Sequence, residues 1–197
     1  MLFILPGMGA DARMYPYPWT TLKDCHLLNW PFYQGEKTLS DLAERMIFEN
    51  NISRTDSVVG SSLGGMVALE IACKLNLDTV FLFGSAVDRS EINPVLRQLA
   101  PIAKVAPIKF FQRITAKIPN AIFQMFGSSD PDFIRAMCAA INEWRGYNGA
   151  AASVIRIHGD KDRIIGCRNH CHLIKGGGHL ISMTHAQECV TVLKQCL

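Results

Sequence analysis

The sequence predicts an α/β protein built on a mostly parallel sheet of about six strands. Short apolar runs alternate along the chain with longer segments whose apolar residues recur at three- and four-residue spacing, as in amphipathic helices. One such run, Val58-Val59, stops at Gly60-Ser61-Ser62-Leu63-Gly64, and a helical pattern begins at once. Strands that alternate with helices pair in parallel, which leaves helices on both faces of the sheet.

The predicted elements follow one another in a regular order. Strands are expected at residues 2–5, 25–30, 58–61, 79–83, 152–158 and 170–174. Thr38 or Ser40 caps a first helix, a second runs from the Gly60–Gly64 turn to Leu75, and a closing helix spans residues 183–196. Residues 11–22 have room for a short helix, but Pro16 and Pro18 interrupt it.

Regular alternation fails between residues 88 and 149. This segment has the pattern of four short helices, which begin at Asn93-Pro94, Pro107, Pro119-Asn120 and Asp130-Pro131. Proline is favoured in a first helical turn, where its missing N–H costs no hydrogen bond. The sequence therefore predicts a single domain over residues 1–197, with a helical cap inserted at residues 88–149.

Composition excludes several classes of function. The chain has 197 residues, 49% of them hydrophobic, and a net charge of +3 without a polybasic run, so nucleic acid is not an expected partner. No segment approaches the roughly 20 apolar residues of a membrane span, and the first residues lack the basic start of a signal peptide. Seven cysteines at scattered spacings do not suggest a disulfide framework. A reducing cytoplasm is the expected location.

Ser62 is the candidate nucleophile. It lies at the centre of Gly60-x-Ser62-x-Gly64, between a strand and a helix, which is the context of a nucleophile elbow. Glycines on either side give clearance to a strained serine backbone, and the following helix directs its positive end at the hydroxyl oxygen. The alternative is an ordinary glycine-rich loop between a strand and a helix.

A serine hydroxyl needs a neighbouring base, and the base needs a third group to orient it. His179 is the candidate base, because it follows the last strand and the flexible run 176–178, which consists of three glycines. Three carboxylates are candidates for the third group. Asp160 and Asp162 come just after the fifth strand, and Asp88 follows the fourth.

The order Ser62…Asp162…His179 resembles that of the α/β-hydrolase superfamily, over residues 1–88 and 151–197. The resemblance implies an α/β-hydrolase fold with a reduced sheet, because the chain starts on the family's third strand. It also favours Asp162 as the acid, since the family pattern Gly-x-x-Asp is met by Gly159-Asp160-Lys161-Asp162.

The same resemblance implies an oxyanion hole. The loop Pro6-Gly7-Met8-Gly9 matches the family's loop after its first core strand, so the backbone N–H groups of Met8 and Leu63 would be the two donors. The expected activity is hydrolysis of a small-molecule carboxylic ester or thioester through an acyl-enzyme, with no cofactor. Cleavage of a C–C bond or an amide, or a ligand-binding sensor with slow turnover, remains open as an alternative.

The cap carries more apolar surface than four short helices need in order to pack together. Phe111, Phe126, Met125 and Met137 are the residues predicted to line an acyl pocket, with the methionines adapting its shape. The simpler alternative is packing of the cap onto the sheet. The basic residues of the cap fit a solvated helix face better than an anionic-substrate site; they are Arg97, Lys104, Lys109, Arg113 and Lys117.

A cluster of potential metal ligands lies near the C-terminus, at Cys167, His170, Cys171, His172 and His179. In a strand, Cys171 would point away from both of its histidine neighbours. Because the spacing also fits no zinc template, no metal is expected.

Overall fold

In the computed structural model, which describes residues 1–94, 120–149, 152–167 and 170–197, the chain forms one six-stranded parallel sheet. The strands are β1 (Leu2–Leu5), β2 (Cys25–Leu27), β3 (Ser57–Ser61), β4 (Thr79–Phe83), β5 (Ser153–Gly159) and β6 (Cys171–Ile174). Their order across the sheet is β2-β1-β3-β4-β5-β6, and every neighbouring pair is parallel. The predicted fold class and strand count are confirmed.

Six helices are described, and all of them follow β2 in the chain. They are α1 (Leu39–Asn50), α2 (Leu63–Leu75), α3 (Ala121–Ser128), α4 (Pro131–Glu143), α5 (Ile181–Thr184) and α6 (Ala186–Cys196). Single 3₁₀ turns lie at Ala12–Met14, Trp19–Thr21 and Arg89–Glu91. Within the described parts of the chain, no helix is both long and apolar enough to cross a bilayer.

Two local predictions need adjustment. The closing helix is not continuous, because His185 adopts φ −131° and ψ 41° and separates α5 from α6. Residues 11–22 hold two 3₁₀ turns on either side of Pro16 and Pro18 in place of one short helix. Proline removes a backbone donor and restricts the residue before it, so a longer helix cannot pass through this segment.

Side chains on successive strand residues enter two separate cores. Phe3 and Leu5 of β1 face α1 and α2, whereas Leu2 and Ile4 face α6 on the opposite side of the sheet. The alternation follows from the two-residue period of a strand. A sheet covered on both faces explains why its strands read as continuous apolar runs.

Two of the four helices predicted between residues 88 and 149 are present as α3 and α4. Asn120 caps α3 by accepting a hydrogen bond from Ile122 N–H, and Asp130 caps α4 in the same way through Asp132 N–H. Trp144, just past α4, donates to Glu70 of α2 over 2.8 Å. The helix predicted from Pro107 lies outside the described residues, as does all but the start of the one from Asn93-Pro94.

The cysteines include one local pair that the sequence did not indicate. Cys167 and Cys171 are joined as a disulfide only four residues apart, at the start of β6. The other five cysteines are free; they are Cys25, Cys73, Cys138, Cys189 and Cys196. A single bridge across so short a loop does not form a framework of the kind that holds small secreted domains together.

Candidate active site

Ser62 occupies a strained turn between β3 and α2. Its backbone has φ 52° and ψ −119°, a region that non-glycine residues rarely adopt and that persists only when the surroundings hold it. Two contacts from β4 and its following loop hold it here. Ser62 N–H donates to Phe83 O over 3.1 Å, and the buried Ser85 hydroxyl donates to Ser62 O over 2.6 Å.

The elbow depends on glycine at positions 60 and 64. A Cβ at Gly60 would overlap the backbone of Gly64, and a Cβ at Gly64 would overlap the backbone of Leu5 and Pro6. Neither obstacle is a movable side chain. The two glycines therefore let α2 start directly against β3 and the loop after β1.

We expect Gly60→Ala to lower the free energy of unfolding by about 3 kcal/mol or more, because a forced shift of packed backbone is the costly form of overpacking. Chemical denaturation of both proteins measures the difference. Gly178→Ala is the matched control, since no described atom lies within 4 Å of a Cβ at that position. It should stay within about 0.5 kcal/mol of the wild type. Equal losses in the two variants would contradict the account of the elbow.

His179 bridges Ser62 and Asp162. Its Nε2 lies 2.9 Å from Ser62 Oγ, and its Nδ1 lies 2.9 Å from Asp162 Oδ2. The imidazole is 17% exposed and the carboxylate 1% exposed, so the chain of contacts runs from the surface inward. The structure thus brings together the three residues that the sequence order suggested.

Asp162 is surrounded by donors. Its Oδ1 accepts hydrogen bonds from Ile164 N–H and Ile165 N–H. Its Oδ2 lies 3.1 Å from His158 Nε2 and 2.9 Å from His179 Nδ1. Burial alone would raise the pKa of this carboxyl. Hydrogen bonds from His158, His179 and the Ile165 backbone outweigh burial and hold the pKa well below its usual range. The group therefore remains a carboxylate at neutral and mildly acidic pH.

The two other candidate acids have different partners. Asp160 Oδ1 accepts a hydrogen bond from Gly176 N–H over 2.7 Å, which ties the end of β5 to the loop after β6. Asp88 Oδ1 caps the 3₁₀ turn Arg89–Glu91 by accepting from Ser90 N–H over 2.7 Å. Neither of these hydrogen bonds involves His179.

The loop after β1 lies against Ser62. A Cβ at Gly7 would be 3.7 Å from Ser62 Cβ, and Trp30 Nε1–H donates to Gly7 O over 2.9 Å. This arrangement brings Met8 of the same loop close to the elbow. Leu63 is the first residue of α2, and the first N–H groups of a helix have no partner within it. Both predicted oxyanion donors thus lie on segments that meet at the serine.

The structure describes three of the four residues predicted to line an acyl pocket, and these three pack against different parts of the fold. Phe126 of α3 packs on the loop after β1, where a Cβ at Gly9 would be 2.9 Å from its Cδ2. Met125 and Met137 are 1% and 0% exposed and belong to the two separate cores on opposite faces of the sheet. Phe111 lies outside the described residues, as do the five basic residues of the cap segment.

Sequence reasoning missed a buried polar network beneath the elbow. Tyr15 Oη contacts Leu5 O over 2.6 Å and Ser61 Oγ over 3.0 Å, and Ser61 Oγ lies 2.6 Å from Ser182 Oγ. Trp19 Nε1–H donates to Ser182 O. The network joins the loop after β1, the end of β3 and the segment after His179. A single sequence contains no signal for it, because residues that contact each other in this network are up to 163 positions apart in the chain.

The potential metal ligands do not converge. Cys167 and Cys171 are bonded to each other, and His172 lies on the edge strand β6. Within the described ranges, no group of three or more histidine, cysteine or acidic side chains has an arrangement that could hold a metal ion.

Ser62, Asp162 and His179 each follow a strand, at the carboxyl edge of the sheet where open α/β folds bind their ligands. A serine on an elbow, beside a histidine paired with a buried aspartate, defines the class of α/β hydrolases. The model of the alpha/beta hydrolase family matches residues 2–192, and the chain belongs to that family. In sequence, no curated protein matches the chain.

Solved structures with the same fold extend over nearly the whole chain. A thermophilic esterase from Thermogutta terrifontis has a TM-score of 0.75 at 17% identity, over 98% of this chain and 88% of that one. A carboxylesterase from Nitrososphaera gargenis has a TM-score of 0.77 at 14% identity, over 98% and 88%. A hydrolase from Oleispira antarctica has a TM-score of 0.72 at 13% identity, over 98% and 89%. At these identities the likeness shows the fold alone.

Proposed function

We propose that the protein is a serine hydrolase that cleaves a carboxylic ester or thioester through an acyl-enzyme. The observation that carries the proposal is the contact of Ser62 Oγ with His179 Nε2 on a strained elbow. Ser62 is the nucleophile, His179 the general base and then the general acid, and Asp162 the group that orients His179. The family and the fold support hydrolysis, and the esterases among the structural relatives make esters the first substrates to test.

The tautomer of His179 follows from its neighbours. Asp162 is a carboxylate with a lowered pKa, so the imidazole nitrogen facing it, Nδ1, carries the proton. Nε2 then presents its lone pair to the Ser62 hydroxyl. This is the arrangement in which a histidine removes the serine proton as the oxygen attacks a carbonyl carbon.

The first half of the proposed reaction forms the acyl-enzyme. Ser62 Oγ bonds to the carbonyl carbon while its proton passes to His179 Nε2, and negative charge develops on the carbonyl oxygen. The N–H groups of Met8 and Leu63, with the positive end of α2 behind the second, stabilise that charge. His179 then gives the proton to the departing alcohol or thiol.

The second half repeats these steps with water. His179 removes a proton from a water molecule that attacks the acyl carbon, and Ser62 leaves with the proton on its oxygen. Asp162 stays ionised throughout and stabilises the imidazolium that forms twice in each cycle. None of these steps requires a cofactor.

A substrate panel tests the proposal. Aryl esters, acyl-thioesters and aryl amides with one common acyl group are offered to the purified protein, and steady-state turnover is compared. We expect turnover of esters or thioesters well above that of amides. A burst of labelling by a fluorophosphonate with no steady-state turnover of any ester or thioester would contradict the proposal and favour a ligand-binding sensor.

The acyl group is proposed to be apolar and of medium length, since Phe126 packs on the loop that would hold the oxyanion. Each buried methylene is worth about 0.8 kcal/mol, so kcat/KM should rise roughly fourfold per added carbon until the pocket is full. Phe126→Ala should flatten this rise. Phe123→Ala is the matched control, because Phe123 lies on the same helix and is 39% exposed. Equal kcat/KM for acetyl and octanoyl esters in the wild type would exclude an acyl pocket.

A further inference from the structure

A second histidine contacts the carboxylate of Asp162. His158 is the penultimate residue of β5 and is 2% exposed. Its Nε2 lies 2.7 Å from Ile165 O and 3.1 Å from Asp162 Oδ2. Asp162 Oδ2 therefore lies between two imidazoles, and the proposed reaction uses only one of them.

The neighbours of His158 determine its tautomer. A backbone carbonyl and a carboxylate can only accept hydrogen bonds, so Nε2 carries the proton and donates to both. Nδ1 is buried and has no hydrogen-bond partner among the described residues. A proton on Nδ1 would be a buried donor without an acceptor, which is an unfavourable arrangement. The geometry therefore assigns the Nε2–H form.

His158 acts on both oxygens of the carboxylate. It reaches Oδ2 directly, and through Ile165 O it holds the turn whose N–H groups donate to Oδ1. Arg156 lies two residues before His158 and therefore on the same face of β5. Its charge is already paired with Glu91 of the 3₁₀ turn after β4, over 2.7 Å. Asp162, with His179 beyond it, is thus the charged site that the His158 N–H contacts.

We propose that His158 is a positioning residue of the hydrolase site. Its Nε2–H, shared between Asp162 Oδ2 and Ile165 O, fixes the carboxylate in the rotamer in which Oδ2 also faces His179. The inference rests on the proposed function, because it assigns His158 a part in orienting the proposed base. It explains why a histidine, with a donor at the end of its ring, occupies a position that is only 2% exposed.

Two variants separate positioning from packing. His158→Leu fills the buried position with an apolar side chain that has no hydrogen-bond donor. His158→Gln keeps an N–H donor near the position of Nε2. A hydrogen bond to a charged group is among the stronger ones, so His158→Leu should lower kcat about tenfold to a hundredfold, with KM unchanged. His158→Gln should stay within about threefold of the wild type.

The pH profile provides a readout that a purely structural role would not move. Without the His158 donor, more negative charge remains on Asp162 Oδ2, which favours a proton on Asp162 or on His179. Both effects move the acid limb of kcat/KM to higher pH in His158→Leu and leave it in place in His158→Gln. Wild-type kcat and an unmoved limb in a folded His158→Leu would overturn the proposal, as would equal losses in the two variants with an unmoved limb.

The wild type supplies a test that does not depend on the folding of any variant. Long-range ¹H–¹⁵N correlation spectra distinguish the two tautomers of each imidazole. We expect His158 to carry its proton on Nε2, and a proton on Nδ1 alone would overturn the proposal, because Nε2 could then not donate. This measurement needs no substrate. A wild type that neither turns over esters or thioesters nor reacts with a fluorophosphonate would instead count against the proposed function.

Discussion

Replacing Ser62 with alanine is expected to lower kcat for the best ester substrate by on the order of 10⁵ to 10⁶-fold, because nucleophile and base act as a unit. The strained backbone is held by Phe83 O and the Ser85 hydroxyl, and neither contact involves the Ser62 side chain. The variant should therefore fold normally. Steady-state assays with the same ester measure kcat, and a thermal melt measures the stability of the variant.

Ser61→Ala is the matched control for this loss. Ser61 precedes the nucleophile, but its hydroxyl contacts Tyr15 and Ser182 beneath the elbow. We expect the variant to be less stable, since it leaves these buried hydroxyls with fewer partners, and to retain kcat within about tenfold. Activity of Ser62→Ala within tenfold of the wild type would contradict the assignment of the nucleophile.

Asp162→Asn is expected to lower kcat by roughly 10⁴-fold while leaving the fold intact, as when an amide replaces the aspartate of a comparable triad. The asparagine no longer offers two carboxylate oxygens to His179, His158 and the backbone donors. His179 then loses the partner that holds its proton on Nδ1. Steady-state kinetics on the ester used for Ser62→Ala checks the loss.

Asp160→Asn and Asp88→Asn are the controls for this prediction. In both, the asparagine oxygen can still accept the hydrogen bond that the aspartate accepts, from Gly176 N–H in one case and Ser90 N–H in the other. Both variants should keep kcat within about threefold of the wild type. A loss of 10⁴-fold in Asp88→Asn, with Asp162→Asn nearly unaffected, would reverse the choice of acid.

The sheet could be predicted because its signals are local. Val58 and Val59 are β-branched and buried on both faces, and the glycine that follows marks the turn into α2. The helix starts at Pro119-Asn120 and Asp130-Pro131 could be predicted from their prolines. In the structure, the side chains of Asn120 and Asp130 cap these helices. The break at His185 has no comparable signal, since neither proline nor glycine marks it.

The choice among the three acids illustrates what residues alone leave open. Asp88, Asp160 and Asp162 all follow strands that end at the same edge of the sheet, so position along the chain does not separate them. The turn after β5 does, because it directs Asp160 to Gly176 N–H and Asp162 to His179. Only the resemblance to a family favoured Asp162 before the turn was seen.

The buried supports of the site were beyond sequence reasoning for a different reason. His158 stands in the same short segment as Asp160 and Asp162, yet a histidine at the end of a strand has many possible partners. Its contact with Ile165 O depends on how the chain returns after Asp162. Tyr15 and Ser182 meet Ser61 only through the packing of three separate segments.

The most direct test of the account is the site of covalent labelling by a fluorophosphonate. The intact protein is treated with one equivalent of the reagent, digested, and analysed by mass spectrometry to locate the adduct. The account predicts a single adduct on Ser62, with labelling abolished in Ser62→Ala and preserved in Ser61→Ala. An adduct on another residue, or none on Ser62, would contradict it.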